Sequence, residues 1–153
     1  MSTNFQRIGS VSNAHAGSDF EQIAARKLAQ GGLKVEANLA VPVGVGVHKK
    51  AHRFDLGSEE PPVIVECKSH TWTSGGNMPS AKITVWNEAM YYFSLAPDRF
   101  RKIFFVLKDV RRQESLAEYY VRLYRHLIPS DVEVWEYCAQ TDQVVVIQPR
   151  NAE

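Results

Sequence analysis

Three residues concentrate the chemistry of this 153-residue chain: Asp55, Glu66 and Lys68. Glu66 and Lys68 lie two apart at the end of Val63-Ile64-Val65-Glu66-Cys67-Lys68, a β-branched run that suits a central strand. Side chains alternate along a strand, so Glu66 and Lys68 share a face while Cys67 points the other way. Asp55 ends a short extended stretch just upstream, and pairing the two stretches as a hairpin brings it beside Glu66. Two carboxylates about one hard cation suit Mg2+, which takes oxygen ligands and keeps several waters. A lysine next to the metal can orient a water or help take its proton. Such a set performs in-line attack on a phosphodiester, with the metal neutralising charge on the phosphorane. A surface salt-bridge cluster is the other reading of the same residues. Against it, Glu66 and Lys68 close an apolar run opened by Pro61-Pro62, where unpaired charge is expensive. Glu66-Cys67-Lys68 is also the chain's only Asp/Glu-x-Lys triplet.

The elements that must position these groups are legible from periodicity. A helix is expected from Ser18 over Phe20, Ile23, Ala24 and Leu28, with Glu21 completing a capping box and Gly31-Gly32 stopping it. Strands are expected over 35–41 and 53–56, joined by a hairpin tip over 42–50, with Gly57-Ser58 as the next turn. The strand over 63–68 leads through a polar loop to a helix over 80–96, whose stripe of Ile83, Trp86, Met90 and Phe93 is spaced for burial. With the strand over 102–107 this makes a βαβ unit, so the two strands should be parallel. Ser115 and Glu118 form a second capping box, opening a helix with a Leu116, Tyr120, Leu123, Leu127 stripe, and strands over 132–137 and 144–148 close the chain. The order α-β-β-β-α-β-α-β-β makes an α/β fold, a mixed sheet flanked by helices.

This order, with Glu21 on the first helix, Asp55 on the hairpin and then Glu66-Cys67-Lys68, resembles the PD-(D/E)XK nuclease superfamily. That group includes restriction endonucleases, archaeal Holliday-junction resolvases and repair nucleases. The likeness spans about residues 18–108. It implies a restriction endonuclease-like αβββαβ core with an extra helix and two C-terminal strands, forming one nuclease-like domain over 18–150 behind a flexible segment over 1–17. Carried over by residue, Asp55 and Glu66 bind the metal, with the main-chain carbonyl of Cys67 as a further ligand. Lys68 acts on the attacking water, and Glu21 is the first-helix acid many members place near the metal. Phe54 stands where many members have proline. The implied activity is Mg2+-dependent DNA cleavage, with Mn2+ as a substitute, leaving a 5′-phosphate and a 3′-hydroxyl.

Further residues point to double-stranded DNA as partner. Lys49, Lys50 and Arg53, with His48 and His52, can rest on phosphates. His70 and Trp72 follow the motif, and Lys82 and Asn87 lie where relatives carry accessory polar groups. The Thr73-Ser74-Gly75-Gly76-Asn77 loop has the freedom to approach a phosphate backbone. Each has a plainer reading: Glu21 as a capping acid, His70 and Trp72 as packing, Lys82 and Asn87 as a solvated helix edge.

Composition bounds the rest. At 44% hydrophobic and 23% charged the chain reads as an ordinary globular domain. Two cysteines are too few for a disulfide scaffold, and they lack metal-ligand spacing. No apolar run reaches the roughly 20 residues of a membrane span, and Met1 to Ser18 lacks the apolar core of a signal peptide. A cytoplasmic location is therefore expected. The net charge of +1 argues against binding nucleic acid by bulk charge. The charge is uneven, though: Lys and Arg outnumber Asp and Glu 11 to 7 over residues 47–112, and fall short 3 to 7 over residues 113–153. A near-neutral surface favours a restriction-endonuclease-like enzyme over a junction resolvase or repair-type nuclease. Cutting both strands with one site per chain requires two chains, so a homodimer suits this reading. From other classes, the chain could be a non-catalytic DNA-binding or assembly module on the same fold, or a structural domain whose acidic tail binds a basic partner.

Overall fold

The apolar runs fold largely where their periodicity places them. A computed structural model describes residues 10–151, with side chains described from Gly17 onward. The first helix is α1 (Ser10–Gln30), followed by strands β1 (Glu36–Val43), β2 (Lys50–Glu59) and β3 (Pro62–Lys68). Helix α2 (Ser80–Leu95) leads to β4 (Arg101–Leu107) and a small hairpin of β5 (Val110–Arg111) and β6 (Glu114–Ser115). Helix α3 (Leu116–Tyr124) runs into a 3-10 turn (Arg125–Leu127), and β7 (Val132–Cys138) and β8 (Gln143–Gln148) complete the order.

Six strands form one sheet in the order β1-β2-β3-β4-β7-β8. The pairs β1–β2, β2–β3 and β7–β8 are antiparallel, while β3–β4 and β4–β7 are parallel, as the βαβ reading requires. β4 lies inside the sheet and is buried from Lys102 through Leu107, hence its uninterrupted apolar sequence. Helix α1 covers one face, where Phe20, Ala24 and Leu28 pack with Val63, Val65, Ile103 and Phe105. Helices α2 and α3 cover the other, where Ile83, Trp86, Phe93 and Tyr120 pack with Ile64, Phe104, Val106 and Val134. No described helix is long and apolar enough to cross a membrane.

Local chemistry explains the boundaries. The C-terminus of α1 is a Schellman motif: Leu33 N–H donates to the Leu28 carbonyl at 2.9 Å and Gly32 N–H to that of Ala29 at 3.0 Å. Gly32 takes the left-handed backbone this needs, with φ +89°. At α3, the Ser115 hydroxyl accepts from Glu118 N–H at 3.0 Å and the Glu118 carboxylate from Ser115 N–H at 2.9 Å, so that capping box forms.

Several expectations are corrected. α1 reaches back to Ser10, into the segment expected to be flexible, and residues 1–9 of that segment lie outside the described residues. Ser18 is thus interior to the helix, and the Ser18–Glu21 capping box does not exist. Gly57 is no turn; it is a buried residue within β2, and the turn falls at Glu60-Pro61. Its role is steric, since a Cβ there would lie 2.7 Å from Leu39 Cδ2 and 2.8 Å from the Val63 carbonyl oxygen. On α3 the buried residues are Leu116, Ala117 and Tyr120, whereas Leu123 and Leu127 are 44% and 42% exposed, and the α-helix ends at Tyr124, before Leu127.

Candidate functional site

The site forms where β2 leaves β3. Their ladder runs from Glu59↔Pro62 to Leu56↔Val65 and ends there. Beyond it β2 stays with β1 through Val43↔Lys50, while β3 stays with β4 through Lys68↔Val106. The alternation of β2 also breaks at this fork. Phe54 packs on the α2 face and Leu56 on the α1 face, although residues two apart on a regular strand share a face. Asp55 occupies the break. Its Oδ2 accepts the Cys67 N–H at 2.8 Å, replacing the ladder bond that the fork removes.

Around Asp55 the fork gathers the other acids. Glu66 is on the α2 face of β3, in register with Phe104, and is only 7% exposed. Burial and the negative charge of Asp55 push its carboxyl up to about 8, against a smaller downward pull from Lys68. Glu21 comes from α1, on the opposite face. Burial, then Asp55, raises its carboxyl to about 7, and Lys68 again opposes. Asp55 is thus the hub between two carboxyls held by elements on opposite sides of the sheet. Burial and the three neighbouring carboxyls hold the Cys67 thiol well above its ordinary value, which favours the neutral thiol, and its side chain packs on the α1 side. The sequence expectation of Glu66 and Lys68 on one face, with Cys67 on the other, matches this register. With Ser18 inside the helix, Glu21 is left with a place beside Asp55 and no capping role.

The residues expected at DNA have varied surroundings. Lys49 is tied to the hairpin tip through the Gly44 carbonyl at 2.8 Å. Arg53 reaches the Asn38 carbonyl at 3.4 Å. Lys50 and Arg53, with Val43, Ala51, His52 and Tyr92, line an open cavity of about 280 Å³ next to the site. Lys82 is exposed on the first turn of α2. His70 and Asn87 have interior partners instead. His70 Nδ1 accepts the Trp86 indole N–H at 2.7 Å, and burial, with Lys68 and Lys82, lowers the imidazole to about 4. Asn87 Oδ1 accepts the Tyr120 hydroxyl at 2.8 Å, joining α2 to α3.

The loop over 73–77 is a closed turn, not a free one. Thr73 N–H donates to the Asn77 carbonyl at 2.9 Å, and Arg111 bonds the Gly76 carbonyl while stacking 4.0 Å over Trp72. Trp72 is itself anchored on Asp109, by its main chain at 2.8 Å and its indole at 2.9 Å. Basic residues around the start of β4 are similarly engaged: Arg101 pairs with Glu133, Lys102 with Asp131 and Arg99 with Glu59. Glu133 and Asp131, from the acidic C-terminal part of the chain, thereby offset two of the excess positive charges over residues 47–112.

Two site residues escaped the sequence reading in this role, His52 and Tyr92. His52 Nε2 lies 3.5 Å from Glu66 Oε1. Its ring stacks on Tyr92 with centroids 3.7 Å apart, and burial draws the imidazole below its usual value. The His52/Phe54 spacing, two apart on one strand, was the available signal, but it needed Tyr92 from α2 to acquire meaning.

The donors at the fork are hard oxygens: the Asp55, Glu66 and Glu21 carboxyls and the Cys67 carbonyl. No set of three or more His, Cys, Asp and Glu side chains among the described residues is arranged as a metal centre by side chains alone. Comparison with protein-family models, curated proteins and solved structures finds no match to this chain.

Proposed function

We propose that this chain is a Mg2+-dependent DNA endonuclease of the PD-(D/E)XK kind, with a restriction endonuclease-like core and the fork between β2 and β3 as its active site. The observation that carries the reading is the convergence on Asp55 of two further carboxyls, with Lys68 on the Glu66 face of β3. Evolving a partly buried acid cluster is costly to the fold, since each added negative charge is disfavoured by its neighbours. A divalent cation resolves that conflict.

Mg2+ suits the donors present. The set offers two carboxylates and a carbonyl, leaving remaining positions to water. Asp55, Glu66 and the Cys67 carbonyl would hold it, and when bound it would neutralise phosphodiester charge as water attacks. Asp55 also accepts the Cys67 N–H, which anchors the main chain of β3 beside the other donors. Lys68, an ammonium on the same face as Glu66, would orient the attacking water and stabilise the hydroxide character it gains. Glu21, beside Asp55, would be the first-helix acid next to the metal. Lys50, Arg53 and Lys82 would steady the substrate phosphates on either side.

Supercoiled plasmid with Mg2+ or Mn2+ tests the reading, run beside Asp55→Ala and Lys68→Ala proteins. The expected result is nicking or linearisation by the wild type, lost on chelation and in both variants. Discrete fragments mark a restriction-type enzyme, and cleavage confined to a four-way junction marks a resolvase. A wild type that cuts none of these DNAs and binds no Mn2+ in calorimetry overturns the proposal and leaves a binding scaffold.

A further inference from the structure

The environment of His52 differs from that of a phosphate-contacting side chain on a hairpin. Its ring is clamped in two directions. Tyr92, on α2, stacks against it at 3.7 Å and 12° between planes, and Phe54 meets it edge-on at 4.7 Å and 84°. With the ring plane so fixed, Nε2 faces Glu66 Oε1 across 3.5 Å. Both atoms are buried, and neither has a hydrogen-bond partner. A buried polar atom without a partner is disfavoured, because it has given up water and gained nothing in return. Two such atoms face each other over a gap only a few tenths of an ångström longer than an N–H···O bond. Each is the partner the other lacks, and active-site contacts that are long in a free enzyme commonly tighten when the site is loaded.

We propose that His52 is a positioning residue for Glu66: its Nε2–H donates to Glu66 Oε1, fixes the carboxylate's orientation, and leaves the second oxygen for the cation. Asp55 cannot give Glu66 such a hydrogen bond as a carboxylate, and its Oδ2 is already taken by the Cys67 N–H. Tyr92 makes the arrangement depend on three elements, since α2 supplies the surface that holds the β2 imidazole against the β3 carboxylate. The cation in this inference rests on the nuclease reading; the His52–Glu66 bond does not.

The test separates the two. In metal-free protein at pH 9, with Glu66 ionised, the ¹⁵N spectrum of a His52-assigned imidazole should show the proton on Nε2; a proton on Nδ1 overturns the bond. Calorimetry with Mn2+ then reads its consequence. His52→Phe keeps an aromatic ring on Tyr92 and removes the donor, and Mn2+ affinity should fall about 10–100-fold, the usual effect of losing a partner behind a metal ligand. His52→Gln, which restores an N–H donor, should recover part of the loss. Equal Mn2+ affinity in wild type and His52→Phe overturns the positioning role. If wild type binds no Mn2+, the nuclease reading fails, and the tautomer alone decides the His52–Glu66 bond.

Discussion

Replacing Glu66 with Gln should flatten the pH dependence of stability in the metal-free protein. The unfolded carboxyl titrates near 4.5, whereas burial first, and Asp55 second, raise it to about 8 in the folded chain. Between those values the folded state holds a proton that the unfolded state has released. Stability therefore falls as pH rises from about 4.5 to about 8, and is fully present only below that window. At roughly 1.4 kcal/mol per pH unit, the loss is about 5 kcal/mol over the whole window and about 4 kcal/mol between pH 5 and pH 8, a large part of the 5–15 kcal/mol typical of a domain. Glu21, raised to about 7, adds a smaller decline of the same sign. Urea unfolding at pH 5, 6.5 and 8 in a chelator measures it. With an m-value of about 2 kcal/mol/M the Glu66 share alone should lower the wild-type midpoint by about 2 M across the series. Glu66→Gln, neutral throughout, should retain only the part due to Glu21. Adding Mg2+ at pH 8 should restore the wild type and leave the variant unmoved. Equal wild-type midpoints at pH 5 and pH 8, or an undiminished slope in the variant, would refute the reasoning.

Three further outcomes follow from packing. Gly57→Ala should cost about 1–3 kcal/mol in thermal or urea unfolding, because the new Cβ meets Leu39 and the Val63 carbonyl at under 3 Å. Ser115→Ala should cost about 1 kcal/mol by removing the hydroxyl that caps α3. Leu123→Gln should change the unfolding free energy by less than about 0.5 kcal/mol, since that side chain is 44% exposed, whereas Tyr120→Ala, on a fully buried neighbour, should cost about 3–5 kcal/mol.

Much of the architecture was legible because burial imposes a period on the sequence. The stripe Ile83, Trp86, Met90, Phe93 identified α2, and the unbroken run of β4 identified a strand covered on both faces. The start of α1 was not legible. Ser18-x-x-Glu21 matches a capping box, but a cap exists only where the helix actually ends, and α1 continues to Ser10. Gly57 misled for a related reason. Glycine marks turns where the backbone must bend, yet here it answers the close approach of Leu39 and Val63 from the two neighbouring strands. The last two residues of the stripe expected on α3, Leu123 and Leu127, are exposed, because periodicity alone cannot report how far along a helix its packing partners extend.

The sequence by itself determined the residue types at the site, the shared face of Glu66 and Lys68, and the α-β-β-β-α-β order, since all three follow from short-range alternation and helical period. Only the tertiary structure decided that β2 and β3 part after Leu56↔Val65. That fork frees the Cys67 N–H for Asp55 and brings Glu21 across from α1. It also turned His52 from a surface cation into a half-buried neighbour of Glu66, because Tyr92, forty residues away on α2, supplies the stacking surface that holds it there. Interactions between elements far apart in sequence leave no period in the chain, so they become visible only when the elements are packed.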